Sequence, residues 1–361
     1  MHQNLVMRDV EAARNIVRGD LDLVVCAVCG FVSNRAFDLG KLSYGEAYDN
    51  TQDHSPAFGE HVEALLHRLL HEKGVQQCRI VEVGCGKGLF LRRLVKEGEG
   101  NRGYGFDPSY LGPLRDLDGR LTFEKRYYGE EGTEVPADVV VCRHVIEHVP
   151  EPLVLLRSIR RALDSSPHAR VFFETPCLEW ILRNQVIWDF FYEHCSYFTA
   201  NSLRTAFERS GFRVEEVRHV FGGQYLWLEA AVADEPSEGT RQAGQVLQLA
   251  REFARREEEL IASWHERINR AAERGNVALW GAGAKGVTFA NLIDPDRQRV
   301  VCVVDLNPVK QGRFLPGTGH PIVGYHQLPH YGVDVAVQMN PNYRDENLAL
   351  LQEAGLNISL I

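Results

Sequence analysis

Short apolar runs alternate with amphipathic stretches through most of this chain. Ile80-Val81-Glu82-Val83 has the length and β-branched content of a buried strand, and it stops at Gly84-Cys85-Gly86-Lys87-Gly88. Behind the glycines, Leu89, Phe90, Leu91, Leu94 and Val95 recur at helical spacing. The pattern continues downstream, with strands expected at 79–84, 103–107, 121–127, 138–143 and 170–174 and helices near 88–96 and 152–163. Upstream, Val62, Leu65, Leu66, Leu69 and Leu70 predict a helix over 58–71 with one buried face. A helix over 202–210 and a hairpin turning through 221–224 follow the fifth strand. Strand–helix alternation of this kind predicts an α/β doubly wound sheet.

From about residue 236 the pattern changes to a long, charge-rich helix over 241–274 with a narrow stripe that includes Val246, Leu249, Phe253, Leu260, Trp264 and Ile268. Its heptads are not sustained, so it reads as a connecting helix rather than a coiled coil. Val277 to Gly286 then repeats the strand–glycine turn–helix pattern, with further strands at 300–305 and 334–338. The expected division is a short N-terminal subdomain (1–56), a first α/β domain (57–235), a linker helix (236–275) and a smaller C-terminal α/β domain (276–361).

Composition narrows the function classes. The chain has 361 residues, 44% hydrophobic and 25% charged, with a net charge of −9. An acidic balance offers no global basic face to nucleic acid. No apolar run approaches the roughly 20 residues that span a bilayer, and no signal peptide opens the chain. Eight cysteines are scattered, several in strand-like runs, as in a reduced cytoplasmic protein. Cys26-Ala27-Val28-Cys29 is half of a zinc knuckle. No second C-x-x-C lies within reach, so Cys26 and Cys29 read as thiols of a small β element unless His2, His54 or a partner chain completes the site.

The candidate chemistry gathers at the strand ends. In an open α/β sheet, ligands bind beyond the carboxyl ends of the strands, which places Glu82, Gly84, Asp107, His144 and Glu174-Thr175-Pro176 on one rim. Asp107 ends a strand about twenty residues after the glycines, where a carboxylate grips ribose hydroxyls. Glu82 to Gly88, Asp107 and Ile146-Glu147-His148 together resemble the class I S-adenosylmethionine (SAM) methyltransferases, a Rossmann-like fold. The alternative, a plain NAD-binding Rossmann domain, fits less well with Glu82 before the glycines. SAM binding is then expected of Glu82, Gly84, Gly86, Gly88, Asp107, Pro108, Arg143, His144 and His148.

From about residue 20 onward the chain resembles the sugar C-methyltransferases, which act on nucleoside-diphosphate ketosugars. Glu193-His194-Cys195-Ser196-Tyr197-Phe198, Gly281-Ala282-Gly283-Ala284-Lys285-Gly286 and Asp305-Leu306-Asn307-Pro308-Val309-Lys310-Gln311-Gly312 carry the likeness. The family's first C-x-x-C is absent, Phe191 stands where the family has tyrosine, and Asn340-Pro341-Asn342-Tyr343 replaces a tryptophan-asparagine pair.

The resemblance implies a small-molecule acceptor, with the protein a monomer or homodimer. His194 is the expected general base, because imidazole titrates near neutrality. Glu193 would orient its ring, and Tyr192, Tyr48 or Tyr44 would donate to an enolate oxygen. The competing reading makes Glu193-His194 a pair that fixes a turn. Tyr44, Thr175, Gly222, Gly223 and Asn307 are expected against the acceptor, with Lys285 and Lys310 on a diphosphate. An O- or N-methyltransferase with another acceptor, and a NAD-holding module with an inert SAM domain, are the alternatives.

Overall fold

In the computed structural model the described residues are 3–5, 7–42, 54–129, 135–239 and 242–361. The chain begins with a short helix, α1 (Val10–Arg14), whose N-cap Asp9 accepts the Ala12 amide at 2.8 Å. Strands β1 (Leu23–Val25) and β2 (Val32–Asn34) form an antiparallel hairpin. The described part of the expected N-terminal subdomain runs as a strap along the C-terminal part of the chain. Met7 forms a β-bridge with Phe314, Arg18 donates to the Gly317 carbonyl at 2.9 Å, and the Gly317 amide donates to Ala13 at 2.8 Å.

Helix α2 (Pro56–His67) has Pro56 in its first turn and Ser55 as N-cap, and it runs into a wider turn at Arg68–Glu72. After it come β3 (Arg79–Val83), α3 (Leu89–Glu97), β4 (Arg102–Phe106), β5 (Arg115–Asp116), β6 (Leu121–Glu124), β7 (Val139–Arg143), α4 (Pro152–Ala162) and β8 (Arg170–Pro176). Then follow α5 (Leu178–Asn184), β9 (Ser196–Tyr197), α6 (Ala200–Glu208) and the hairpin β10 (Phe212–Val220) and β11 (Tyr225–Val232). Among the described residues these strands make an eight-stranded sheet in the order β10-β11-β8-β7-β3-β4-β6-β5. Strand β3 pairs in parallel with β4 on one side and β7 on the other. The chain therefore reverses its direction of winding at β3, and such a switch point opens a crevice at the strand ends. Strand β9 leaves this sheet and pairs with β2, Tyr197 opposite Val32.

The long helix α7 (Val246–Ala272) leads to a second sheet built from β12 (Asn276–Trp280), α8 (Ala284–Ile293), β13 (Val300–Val304), β14 (Ile322–Val323), β15 (Val333–Gln338), α9 (Arg344–Glu353) and β16 (Ser359–Leu360). Its five strands run parallel in the order β14-β13-β12-β15-β16. Helix α7 docks on both sides. Trp264 meets Trp188 edge-on at 5.0 Å and Phe289 at 5.1 Å. One apolar cluster runs from Leu178 and Trp188 through Val246 and Ile268 to Val277 and Phe289. That shared core holds the two sheets in a fixed relation and shapes the cleft between them. No described helix is long and apolar enough to cross a membrane.

Candidate active site

The glycine turn after β3 forms the floor of a cavity of about 1210 Å³. Gly84, Gly86 and Gly88 all take positive φ, at 69°, 52° and 72°. A Cβ on Gly84 would lie 2.2 Å from Val145, and one on Gly88 would lie 2.4 Å from Phe123. At Gly86 a Cβ would meet nothing within 4 Å, so this glycine leaves open space over the turn for a ligand. Asp107, just past β4, accepts the Gly86 amide at 2.8 Å and the Ser109 amide at 2.8 Å. The Ser109 hydroxyl also donates to Oδ1 at 2.6 Å, so of the two lone pairs on each carboxylate oxygen it is Oδ2 that retains one for a ribose hydroxyl. Glu82 is buried, and burial pushes its carboxyl up to about 8 even with Arg143 nearby. Pro108, Arg143, His144 and His148 line the same cavity. A glycine turn that opens onto the cavity, with a carboxylate at the next strand end, is the arrangement expected around the ribose of SAM.

A buried charge cluster lies under this rim, and its partners are scattered through the sequence. Glu174, in β8, is 0% exposed. It accepts Arg143 Nε at 2.8 Å, faces His61 Nε2 at 2.5 Å and stands 3.3 Å from His144 Nε2. Burial alone would raise its carboxyl, but the Arg143 and His144 charges and the His61 and His144 contacts hold it well below the usual carboxylate range. His144 responds in the opposite sense. Burial depresses it, yet Glu174 and Glu147 outweigh burial and raise it to about 9. His144 also holds φ at 52°, a costly conformation of the kind that concentrates at functional sites.

A second cavity of about 230 Å³ lies between the two sheets. His144 and His148 line both cavities, while His194, Lys285, Asn307 and Lys310 line the second. His194 packs edge-on against His148 at 4.7 Å and Phe191 at 4.8 Å. Burial first, and then the neighbouring His148, His144 and Lys285 charges, holds its imidazole well below 6.5, so it is neutral at physiological pH.

Glu193 does not sit in this cavity. Its carboxylate accepts the backbone amides of Gln3 and of Asn4, the latter at 3.0 Å, and so ties the strap to the segment that bears His194. Asn4 reaches the cavity, with its Oδ1 buried and unpartnered. Asn307 presents a buried, unpartnered Nδ2 there as well.

Other expected residues fall elsewhere. Tyr192 lines neither cavity; its ring packs under Gly19 and its hydroxyl accepts the Asp38 amide at 2.9 Å. Thr175 is fully buried and donates to Glu147 at 3.0 Å. Gly222 and Gly223 abut Asn342 and Trp180, where Asn342 donates to the Phe221 carbonyl at 2.7 Å. Lys285 pairs with Asp189. Lys310 is buried, donating to the Ala282 carbonyl at 3.3 Å and lying 4.0 Å from Asp305. Both lysines thus carry internal partners, which a diphosphate would have to share. Tyr44, Tyr48 and His2 lie outside the described residues. Cys26 and Cys29 sit at the tip of the β1–β2 hairpin, with the Gly30 amide donating to the Cys26 carbonyl at 2.9 Å. Among the described residues, no third histidine, cysteine or carboxylate forms a metal-sized group with them, and His54 lines the second cavity instead.

The comparisons with known proteins agree with this geometry. A methyltransferase-domain family matches residues 56–217, and the C-methyltransferase C-terminal domain family matches residues 224–356. C-methyltransferase NovU of Streptomyces niveus is 28% identical over 359 residues, covering 93% of this chain and 84% of that protein. The ubiquinone biosynthesis O-methyltransferase of Vibrio campbellii is 33% identical over 108 residues, 28% of this chain and 45% of that protein. Among solved structures, the 1,6-didemethyltoxoflavin-N1-methyltransferase of Burkholderia thailandensis aligns with a TM-score of 0.39 at 17% identity, covering 50% of this chain and 80% of that one. The paired domain matches and the relative that spans most of the chain make this protein a SAM-dependent methyltransferase, similar over nearly its whole length to a C-methyltransferase.

Proposed function

We propose that the enzyme methylates a carbon next to the ketone of a nucleotide-linked sugar, with His194 as the general base. The observation that carries this reading is the pair of histidines around the cleft with opposite charge states. His194 is neutral and able to take a proton; His144 is cationic and lines both cavities. Environments that push two titratable groups apart in this way supply a base and an electrophile at one pH.

When bound, SAM supplies an electrophilic methyl on a sulfonium. His194 removes the proton from the acceptor carbon, a role that typically contributes about 10²–10⁴-fold. His144 presents positive charge to the enolate oxygen that forms. Packing of the two sheets against α7 keeps the acceptor and the methyl donor in a fixed relation. Residues 57–235 would hold SAM, 276–361 the nucleotide, and 236–275 would join them. Eight unbridged cysteines, five of them buried, support action in the cytoplasm.

The test is carbon–deuterium exchange in heavy water. With S-adenosylhomocysteine bound and a thymidine-diphosphate ketosugar as trial acceptor, the protein should exchange the carbon-bound proton, and His194→Ala should abolish that exchange. Equal exchange by His194→Ala would overturn the assignment. The shared identity with ubiquinone O-methyltransferases favours a second reading, an oxygen acceptor deprotonated by the same imidazole. In that case the protein methylates without any carbon exchange.

A further inference from the structure

Besides its role at the acceptor, the wall of the second cavity has the makings of a metal site. Glu147, His148 and His194 each bring one potential ligand atom within 4.8 Å of the other two. The three come from two separate segments, the turn after β7 and the segment before β9, and all line the same cleft.

Each ligand is already oriented by a second contact. The Glu147 side chain is 2% exposed; its Oε2 accepts the Thr175 hydroxyl at 3.0 Å, while its Oε1 stands 3.5 Å from His144 Nδ1. A metal ion here would share that carboxylate with the His144 ring. His148 Nδ1 lies 3.1 Å from the Glu193 carbonyl oxygen. A carbonyl accepts and never donates, so Nδ1 is the donor in this contact. A histidine whose other nitrogen is held by a backbone carbonyl is the usual arrangement of a metal ligand. His194 is held by ring contacts, edge-on to His148, Phe191 and Tyr197, in surroundings that favour the neutral imidazole a metal requires.

We propose that Glu147, His148 and His194 form a binding site for one divalent transition-metal ion in the wall of the acceptor cleft. Two imidazoles and a carboxylate suit zinc, nickel, cobalt or iron, whereas magnesium and calcium prefer all-oxygen sets. The open cavity on the remaining side leaves coordination positions for water or an acceptor oxygen. A second grouping among the described residues, Cys177, Glu179 and His219, is a poorer candidate because burial pushes the Cys177 thiol up to about 12 and disfavours the thiolate. The geometry alone carries the site; its consequence for catalysis rests on His194 being the base. Metal ligation and proton acceptance use the same lone pair, so an ion bound here silences the base until it leaves.

The test uses the full chain with Cys26→Ser and Cys29→Ser, which removes the other thiol pair able to take such an ion. Cobalt(II) titration followed by absorbance should show one bound ion with d–d bands and no thiolate charge transfer, displaced by zinc. Glu147→Gln and His148→Ala should each weaken binding by about tenfold or more, with circular dichroism and thermal melting confirming that each variant folds. Binding unchanged within twofold in both folded variants, or no saturable binding in the parent, would overturn the site. Because this titration needs no acceptor, its outcome is independent of the exchange experiment above. Where the parent shows exchange, zinc should stop it, and should stop it only at higher concentration in Glu147→Gln; exchange indifferent to bound zinc would overturn the silencing.

Discussion

His61 Nε2 stands 2.5 Å from Oε1 of Glu174, with both side chains withdrawn from solvent. The contact joins the helix that precedes the glycine turn to the fifth parallel strand, beneath the rim where the two cavities meet. Glu174 also takes Arg143 and faces His144, so one carboxylate stands against three basic side chains. Glu174→Gln should therefore lower the unfolding free energy by about 3–5 kcal/mol, the usual range for breaking a buried ion pair from one side. Urea unfolding of the two proteins measures this. A change below about 1 kcal/mol, the worth of an exposed pair, would show that the cluster carries little stability.

The pH dependence has a definite sign. His144 is raised from its ordinary 6.5 to about 9 in the folded protein. Its protonated form therefore contributes stability that is fully present below pH 6.5 and is lost as pH rises through about 9. Stability measured across that window should fall, and imidazole resonances followed by NMR should show His144 titrating near the top of it. His194 should remain neutral throughout, since its folded value lies well below 6.5. In Glu174→Gln the fall between pH 6.5 and 9 should shrink, because Glu174 supplies much of the raising charge.

Two glycines of the same turn should respond differently to alanine. Gly84→Ala places a methyl 2.2 Å from Val145 at a φ of 69°, so both strain and overlap oppose it. A stability loss of about 2–4 kcal/mol is expected, from left-handed strain of about 1–2 kcal/mol and overpacking of a similar size. Gly86→Ala carries the strain without the overlap. Its methyl enters the space proposed for SAM, so S-adenosylhomocysteine affinity should drop by more than tenfold, or about 1.4 kcal/mol. Calorimetric titration alongside thermal melting separates the two effects.

Loss of the Glu193 carboxylate should release the strap. Glu193→Ala removes the acceptor of the Gln3 and Asn4 amides, at a cost of about 1.5–3 kcal/mol per charged hydrogen bond before relaxation. Hydrogen exchange of those two amides should accelerate by at least the factor of ten that about 1.4 kcal/mol represents, with the glycine-turn amides unaffected. Protection unchanged at Gln3 and Asn4 would show that other contacts hold the strap.

What the sequence reveals and what it hides divide along local and tertiary lines. Both glycine turns and the acids Asp107 and Asp305 were legible, because each motif is written in a single strand–turn–helix unit. The doubly wound sheet followed from the same alternation. His61 gave no such signal: it is one polar residue on an otherwise apolar helix face, and only folding brings it to Glu174. Tyr192 and Thr175 were expected at the acceptor on the strength of neighbours in sequence, but strand alternation and the strap turn them toward Asp38 and Glu147. Glu193 was read as a partner of the adjacent His194, and nothing in the sequence points to amides in the N-terminal strap.

The third strand of the small N-terminal sheet is Ser196–Tyr197, which begins two residues after His194. During synthesis the β1–β2 hairpin emerges early and has no third strand to pair with until Tyr197 has left the ribosome. An isolated two-stranded hairpin is at best marginally stable in water, and closing so long a loop is intrinsically slow. The sheet and the segment that bears the proposed base are therefore completed together, once more than half of the chain has been made. A nascent chain stopped before that point lacks both the third strand and His194, so the proposed base never stands in a half-made protein without its supporting sheet.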